Sequence, residues 1–164
     1  MRALGVDLGT VRIGLALSDP GKMIASPHDT LPAGDAEAGD WPEHVARVIA
    51  EVVRAQEADT VVIGLPRSLA GRETAGASAA RAVADALRAR TSATVELWDE
   101  RLSSVEAERM MIGAGQRRAD RRTARDRVAA AIILQGWLQA HGRRPEDLAG
   151  PGSTKHAPDL RSED

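Results

Sequence analysis

The sequence predicts an α/β fold, a mixed five-stranded sheet with helices on both faces. Two observations predict it. Three short strand-like runs crowd the first thirty residues and read as a hairpin or meander. After residue 40 strand-like runs alternate with apolar residues at helical spacing. The resulting order, β-β-β-α-β-α-β-α-α, packs naturally as helices laid against a mixed sheet.

Residues 3–8, Ala-Leu-Gly-Val-Asp-Leu, form a buried strand. Gly9-Thr10-Val11 turns the chain into a second strand from Arg12 to Ser18. A third strand runs around Ile24 to Thr30; Pro27 falls inside it, which an edge position would tolerate. Residues 32–40 are rich in Gly, Ala and Asp and read as a loop. Asp40-Trp-Pro-Glu43 has capping-box spacing, and Val45, Val48, Ile49, Val52 and Val53 follow at helical intervals, with Asp59 ending the helix. Thr60 to Ile63 is a short strand stopped by Gly64-Leu-Pro66. Residues 72–91 are an Ala-rich helix with Val83 and Leu87 inward, and Ala93 to Trp98 is the fifth strand. Ser103-Ser-Val-Glu106 repeats the capping pattern before a short helix to about Met111; a basic loop, Gly113 to Arg118, precedes a last helix from Asp120 to Ala140. The polar segment 142–164 reads as a disordered tail behind a single domain of residues 1–141.

Composition narrows the chemistry. With 164 residues the chain suits one domain that can bury a core without cross-links. No cysteine is present, which excludes disulfides, thiolate metal sites and cysteine nucleophiles. The three tryptophans are the whole aromatic content, so single-stranded bases have no obvious stacking platform and the core must be aliphatic. A net charge of −2 gives no global case for nucleic acid, which leaves the case to local charge. The N-terminal apolar run is too short for a signal peptide, and no stretch approaches the roughly 18 apolar residues of a membrane span. A soluble cytoplasmic protein is expected.

Three carboxylates stand out. Alternation puts Gly5, Asp7 and Gly9 on one face of the first strand, and a carboxylate in an otherwise buried strand is costly unless something compensates it. A metal ion bridging to substrate is one compensation; a simple cap on the hairpin turn is the other. Glu100 lies just past the fifth strand, where α/β sheets collect ligands, yet Asp99-Glu-Arg101 taken alone is an ordinary solvated turn. Asp126 shares a helix stripe with Ala130, Ile133 and Trp137 and is aimed inward, unless it pairs with Arg122, Arg125 or Arg127 on its own helix. Hard oxygen ligands without cysteine suit Mg²⁺ or Mn²⁺, and two such ions about 4 Å apart would clamp the oxygens of a phosphodiester hydrolysis. His28, His44, His141 and His156 do not fit that cleft and are expected at the surface. Arg109, Arg117, Arg118, Arg121, Arg122, Arg125 and Arg127 crowd the segment flanking Asp126; they are either phosphate contacts or a solvated helix face.

The motifs Gly5-x-Asp7-x-Gly9-x-x-Arg12-x-Gly14-x-Ala16-x-Ser18-Asp19, Gly64-Leu-Pro66, Asp99-Glu-Arg-Leu-Ser-Ser104 and Asp126-x-x-Ala-Ala-x-x-Ile-Leu134 stand in one order. They resemble the YqgF/RuvX-type family over residues 2–140, whose members are described as pre-16S ribosomal RNA nucleases and as Holliday-junction-resolvase-like proteins. The resemblance implies a ribonuclease H-like fold, a divalent metal, and cleavage of structured nucleic acid, either pre-ribosomal RNA or branched DNA. It puts Asp7, Glu100 and Asp126 on the family's catalytic, metal-binding carboxylates, and Arg12 and Arg101 on its phosphate-facing arginines. Arg117, Arg118, Arg121, Arg122 and Arg125 stand in the basic segment, which in the family often carries lysines.

Two other classes compete. Asp7-Leu-Gly-Thr10 also looks like the first phosphate loop of actin-like sugar kinases, but those need two such domains and a second Asp-Gly-Thr motif, which this chain lacks. A non-catalytic RNA-binding factor of ribosome assembly would need the basic patch and not the three acids. Symmetric cutting of a junction calls for a dimer, whereas trimming an RNA end is work for a monomer; the sequence leaves monomer and weak homodimer both open.

Overall fold

A computed structural model describes residues 1–66, 73–102 and 121–141, with the backbone alone for 121–124. The meander is β1 (Arg2–Leu8), β2 (Arg12–Ser18) and β3 (Ala25–Pro32). Helix α1 (Trp41–Ala55), strand β4 (Ala58–Leu65), helix α2 (Ala75–Arg88) and strand β5 (Thr94–Asp99) follow, then a single 3-10 turn, Glu100–Leu102, and helix α3 (Arg121–His141). The expected short helix after Ser103 with Arg109, the basic loop with Arg117 and Arg118, and the tail lie outside the described residues.

The strands form one mixed sheet in the order β3-β2-β1-β4-β5. β1, β4 and β5 are parallel, and β2 and β3 are antiparallel to their neighbours. Strand β3 is an edge strand, the position that tolerates Pro27. Pro27 faces Ala16 where the β2–β3 register shifts, so its missing N–H falls at an irregularity of the ladder.

The sheet's two faces differ in kind. Leu4, Val6, Ile13, Leu15, Val61 and Ile63 project toward α1 and α2 and build the larger core. The opposite face is built mainly of small residues, Ala3, Gly5, Gly14, Ala16 and Gly64, beside Val62, and α3 lies on it. A Cβ at Gly5 would stand 2.7 Å from Leu134 Cβ, and one at Gly14 would stand 2.0 Å from the backbone oxygen of Asp126. These two glycines set how closely the helix approaches. Ala130, Ala131 and Leu134 of α3, fully buried, complete the contact.

Several boundaries differ from the sequence expectation. Asp40 is the N-cap of α1, but its side chain makes no cap hydrogen bond; Glu43, the expected partner of the box, pairs with Arg90 at 2.8 Å instead. Asp59 does not end α1. The helix stops at Ala55, Glu57 turns the chain with φ +53°, and Asp59 lies inside β4, paired with Lys22 at 2.6 Å. Helix α2 begins at Ala75, where Thr74 caps it by accepting the Ala77 N–H at 3.2 Å.

Candidate active site

Because β1, β4 and β5 are parallel, their carboxyl ends share one edge of the sheet, where ligands of α/β sheets gather. Asp7 lies at that end of β1, with Gly14 opposite it on β2. Glu100 follows directly from β5, and α3 brings Asp126 over Gly14. The three expected carboxylates are thus drawn to one place from residues far apart in the chain.

Asp7 is half-buried, and its carboxylate accepts no hydrogen bond from any described residue. Burial first, then the charges of Glu100 and Asp126, push its carboxyl up from 3.8 to about 6. It does not cap the hairpin; the turn closes through the Gly9 N–H donating to the Arg12 carbonyl at 2.9 Å. Glu100 is also raised, by burial and then by the neighbouring charge of Asp99. Its Oε1 lies 2.9 Å from where a Gly64 Cβ would be, so a side chain at 64 would crowd the carboxylate.

Asp126 is held across the sheet. Arg12 Nε donates to its Oδ2 at 2.9 Å, and no described arginine of its own helix pairs with it. Arg127 Nε is buried with no acceptor among the described residues, and Arg125 is exposed. Arg101 folds back on Asp99, with Nη2 2.8 Å from Oδ2. The backbone of Arg121 and Arg122 forms the start of α3, and Arg117 and Arg118 lie outside the described residues. As the side chains stand, no three described acids or histidines could share one ion. The donor set is nonetheless all hard oxygen, and the mutual repulsion at Asp7 is what a cation would relieve.

Sequence reasoning placed the histidines correctly at or near the surface where they are described: His28 and His44 are partly exposed, and His141 is exposed, stacked on Trp137 with ring centres 4.9 Å apart. It missed Gly14 and Gly64 as contact points and read Gly64 only as a strand stop. The available signal was alternation, which puts Gly14 on the same face of β2 as Arg12 and Ala16.

A family profile described as RuvX, Holliday junction resolvase, matches residues 1–140. The chain belongs to the RuvX family. Among RuvX-like relatives, a protein of Nocardia farcinica is 45% identical over 139 residues, covering 84% of this chain and 77% of its own. One of Myxococcus xanthus is 44% identical over 147 residues, covering 90% and 92%. Both carry the provisional name pre-16S rRNA nuclease. Thermus thermophilus RuvC, solved with a Holliday junction substrate, superposes with a TM-score of 0.60 at 15% identity, over 87% of this chain and 98% of that one. That likeness establishes the ribonuclease H-like fold. Membership of the RuvX family makes the chain a nuclease, a hydrolase acting on nucleic acid, and removes the sugar-kinase reading of Asp7-Leu-Gly-Thr10. No described helix is long and apolar enough to cross a membrane.

Proposed function

We propose that this chain is a divalent-cation-dependent endonuclease acting in the cytoplasm on precursor 16S ribosomal RNA, in the processing of its 5′ end. The observation that carries the metal site is the Asp7 carboxyl, half-buried and raised to about 6 by burial and by two neighbouring acids. The substrate comes from the names borne by relatives at 44–45% identity. Asp7, Glu100 and Asp126 would hold Mg²⁺ or Mn²⁺. Such an ion supplies Lewis acidity and an activated water at neutral pH, so the chain needs no nucleophile of its own. Below about pH 6 the metal-free Asp7 carboxyl holds a proton, which a bound cation would displace. Glu100 keeps its place because residue 64 has no side chain. Arg12, Arg101 and the segment containing Arg117, Arg118, Arg121, Arg122 and Arg125 bind the substrate's phosphates, and an RNA end asks only for a monomer.

The deciding experiment is a Mn²⁺-dependent cleavage assay on a precursor 16S RNA fragment and on a four-way DNA junction. The RNA should be cut. Asp7→Asn, Glu100→Gln and Asp126→Asn should each lower the rate by at least about 100-fold while leaving the fold intact, since a lost metal ligand removes several kcal/mol of transition-state stabilisation. Cleavage of the junction alone would make the chain a resolvase. RNA binding without cleavage of either would make it an assembly factor.

A further inference from the structure

The Arg12–Asp126 pair joins residues 114 apart in sequence, at a place where both backbones are closely packed. Asp126 is pinned because its own carbonyl oxygen lies directly over Gly14, and the next turn of α3 is pinned in the same way, with the Ala130 oxygen 2.8 Å from a Cβ at Gly5. Arg12 is pinned because its carbonyl closes the β1–β2 hairpin. Only the two side chains are free to turn. Both are partly exposed, at 38% for Arg12 and 31% for Asp126, so neither is locked by packing. With Asp126 turned to Arg12, no three described acids could share an ion.

We propose that Arg12 is a displaceable counter-ion: it occupies Asp126 in the metal-free protein, and a divalent cation taking that carboxylate releases it to a substrate phosphate. The inference rests on the metal site proposed above. Two acids repelling each other at Asp7, with a third neutralised by Arg12, form a site partly compensated by one positive charge. A doubly charged ion compensates it better and competes for the same oxygen. Once free, the guanidinium remains tethered to the hairpin beside the carboxyl end of β1, with its donor fork available for bidentate contact to a phosphate. Metal and nucleic acid would then bind cooperatively, because loading the first exposes a contact for the second.

The test is made on the full-length chain by titration with Mn²⁺ alone. Arg12→Ala should bind Mn²⁺ about 2- to 5-fold more tightly than the wild type, the range expected from removing a competing, partly exposed ion pair. Arg125→Ala, which removes the same charge from the exposed side of α3, should change the affinity less. In parallel, the Arg12 Nε–H resonance of the wild-type protein is followed as Mg²⁺ is added. It should lose its carboxylate-bonded shift and its slowed exchange at saturation; this measurement stands even if a variant fails to fold. Weaker Mn²⁺ binding by Arg12→Ala, an equal effect of Arg125→Ala, or an Nε–H signal unmoved by saturating Mg²⁺ would each overturn the exchange and make Arg12 a fixed clamp. Absence of Mn²⁺ binding in wild type and variants alike would overturn the metal site itself.

Discussion

Asp7 concentrates the electrostatic cost of the site. Its folded pKa of about 6 exceeds the ordinary 3.8, so the native state holds a proton that the unfolded chain releases. Native stability from this group is therefore greatest at low pH and is lost as pH rises through about 6. In EDTA, moving from pH 8 to pH 5 should make unfolding harder by about 1.4 kcal/mol through Asp7 alone. Urea denaturation of the wild type and of Asp7→Asn at both pH values checks this. The difference between the two proteins should shrink at pH 5, and a difference independent of pH would refute the raised carboxyl. Asp7 and Gly5 were legible on one strand face because alternation needs only local sequence. The Arg12–Asp126 bond was not, since nothing in a single sequence pairs residues 114 positions apart. Arginines nearby on the same helix offered a more obvious partner that the structure does not use.

At the scale of elements, α3 depends on absent side chains. Gly14→Ala would place a Cβ 2.0 Å from the Asp126 oxygen, so the helix must lift or β2 must bend. A loss of about 2–3 kcal/mol is expected, as for an overpacked core, with Mn²⁺ affinity falling alongside because Asp126 moves. Gly39→Ala, which meets nothing within 4 Å, is the control and should stay within about 0.5 kcal/mol. Thermal melts and Mn²⁺ titrations of both variants measure it. The start of the same helix carries the phosphate argument. Replacing Arg121 and Arg122 with alanine should weaken binding to all sequences about equally, and flatten log affinity against log salt by roughly 0.7 per contact for single strands or 0.9 for duplex. An unchanged slope would return these arginines to a solvated helix face. The type of each described strand and helix was readable from local sequence, and so were the bounds of β2, whereas the end of α1 and the start of α2 were not. Asp59 looked like a helix stop because it is charged, but an ion pair to Lys22 makes it acceptable in a strand. The Asp40 box had the right letters, and yet Glu43 found a better partner in Arg90.

At the scale of the whole molecule, the matched family region ends at residue 140, one residue before the end of α3. Deletion of residues 144–164 should accordingly leave the melting temperature and the cleavage rate unchanged; a fall of several degrees would show that this segment docks. The fold class was legible because three early strands followed by strand–helix alternation permit few arrangements. The division of the sheet into a bulky face and a small-residue face emerges only when the strands are set side by side. That division has a consequence for a chain still being made. A nascent polypeptide stopped before residue 121 already contains all five strands, with the first two helices available to cover the bulky face. It leaves Ala3, Ala16, Val62 and the glycines uncovered where the last helix belongs, and it lacks Asp126. With Asp126 as a metal ligand, as proposed above, translation would act as a timer: cleavage would have to wait until the closing segment had left the ribosome.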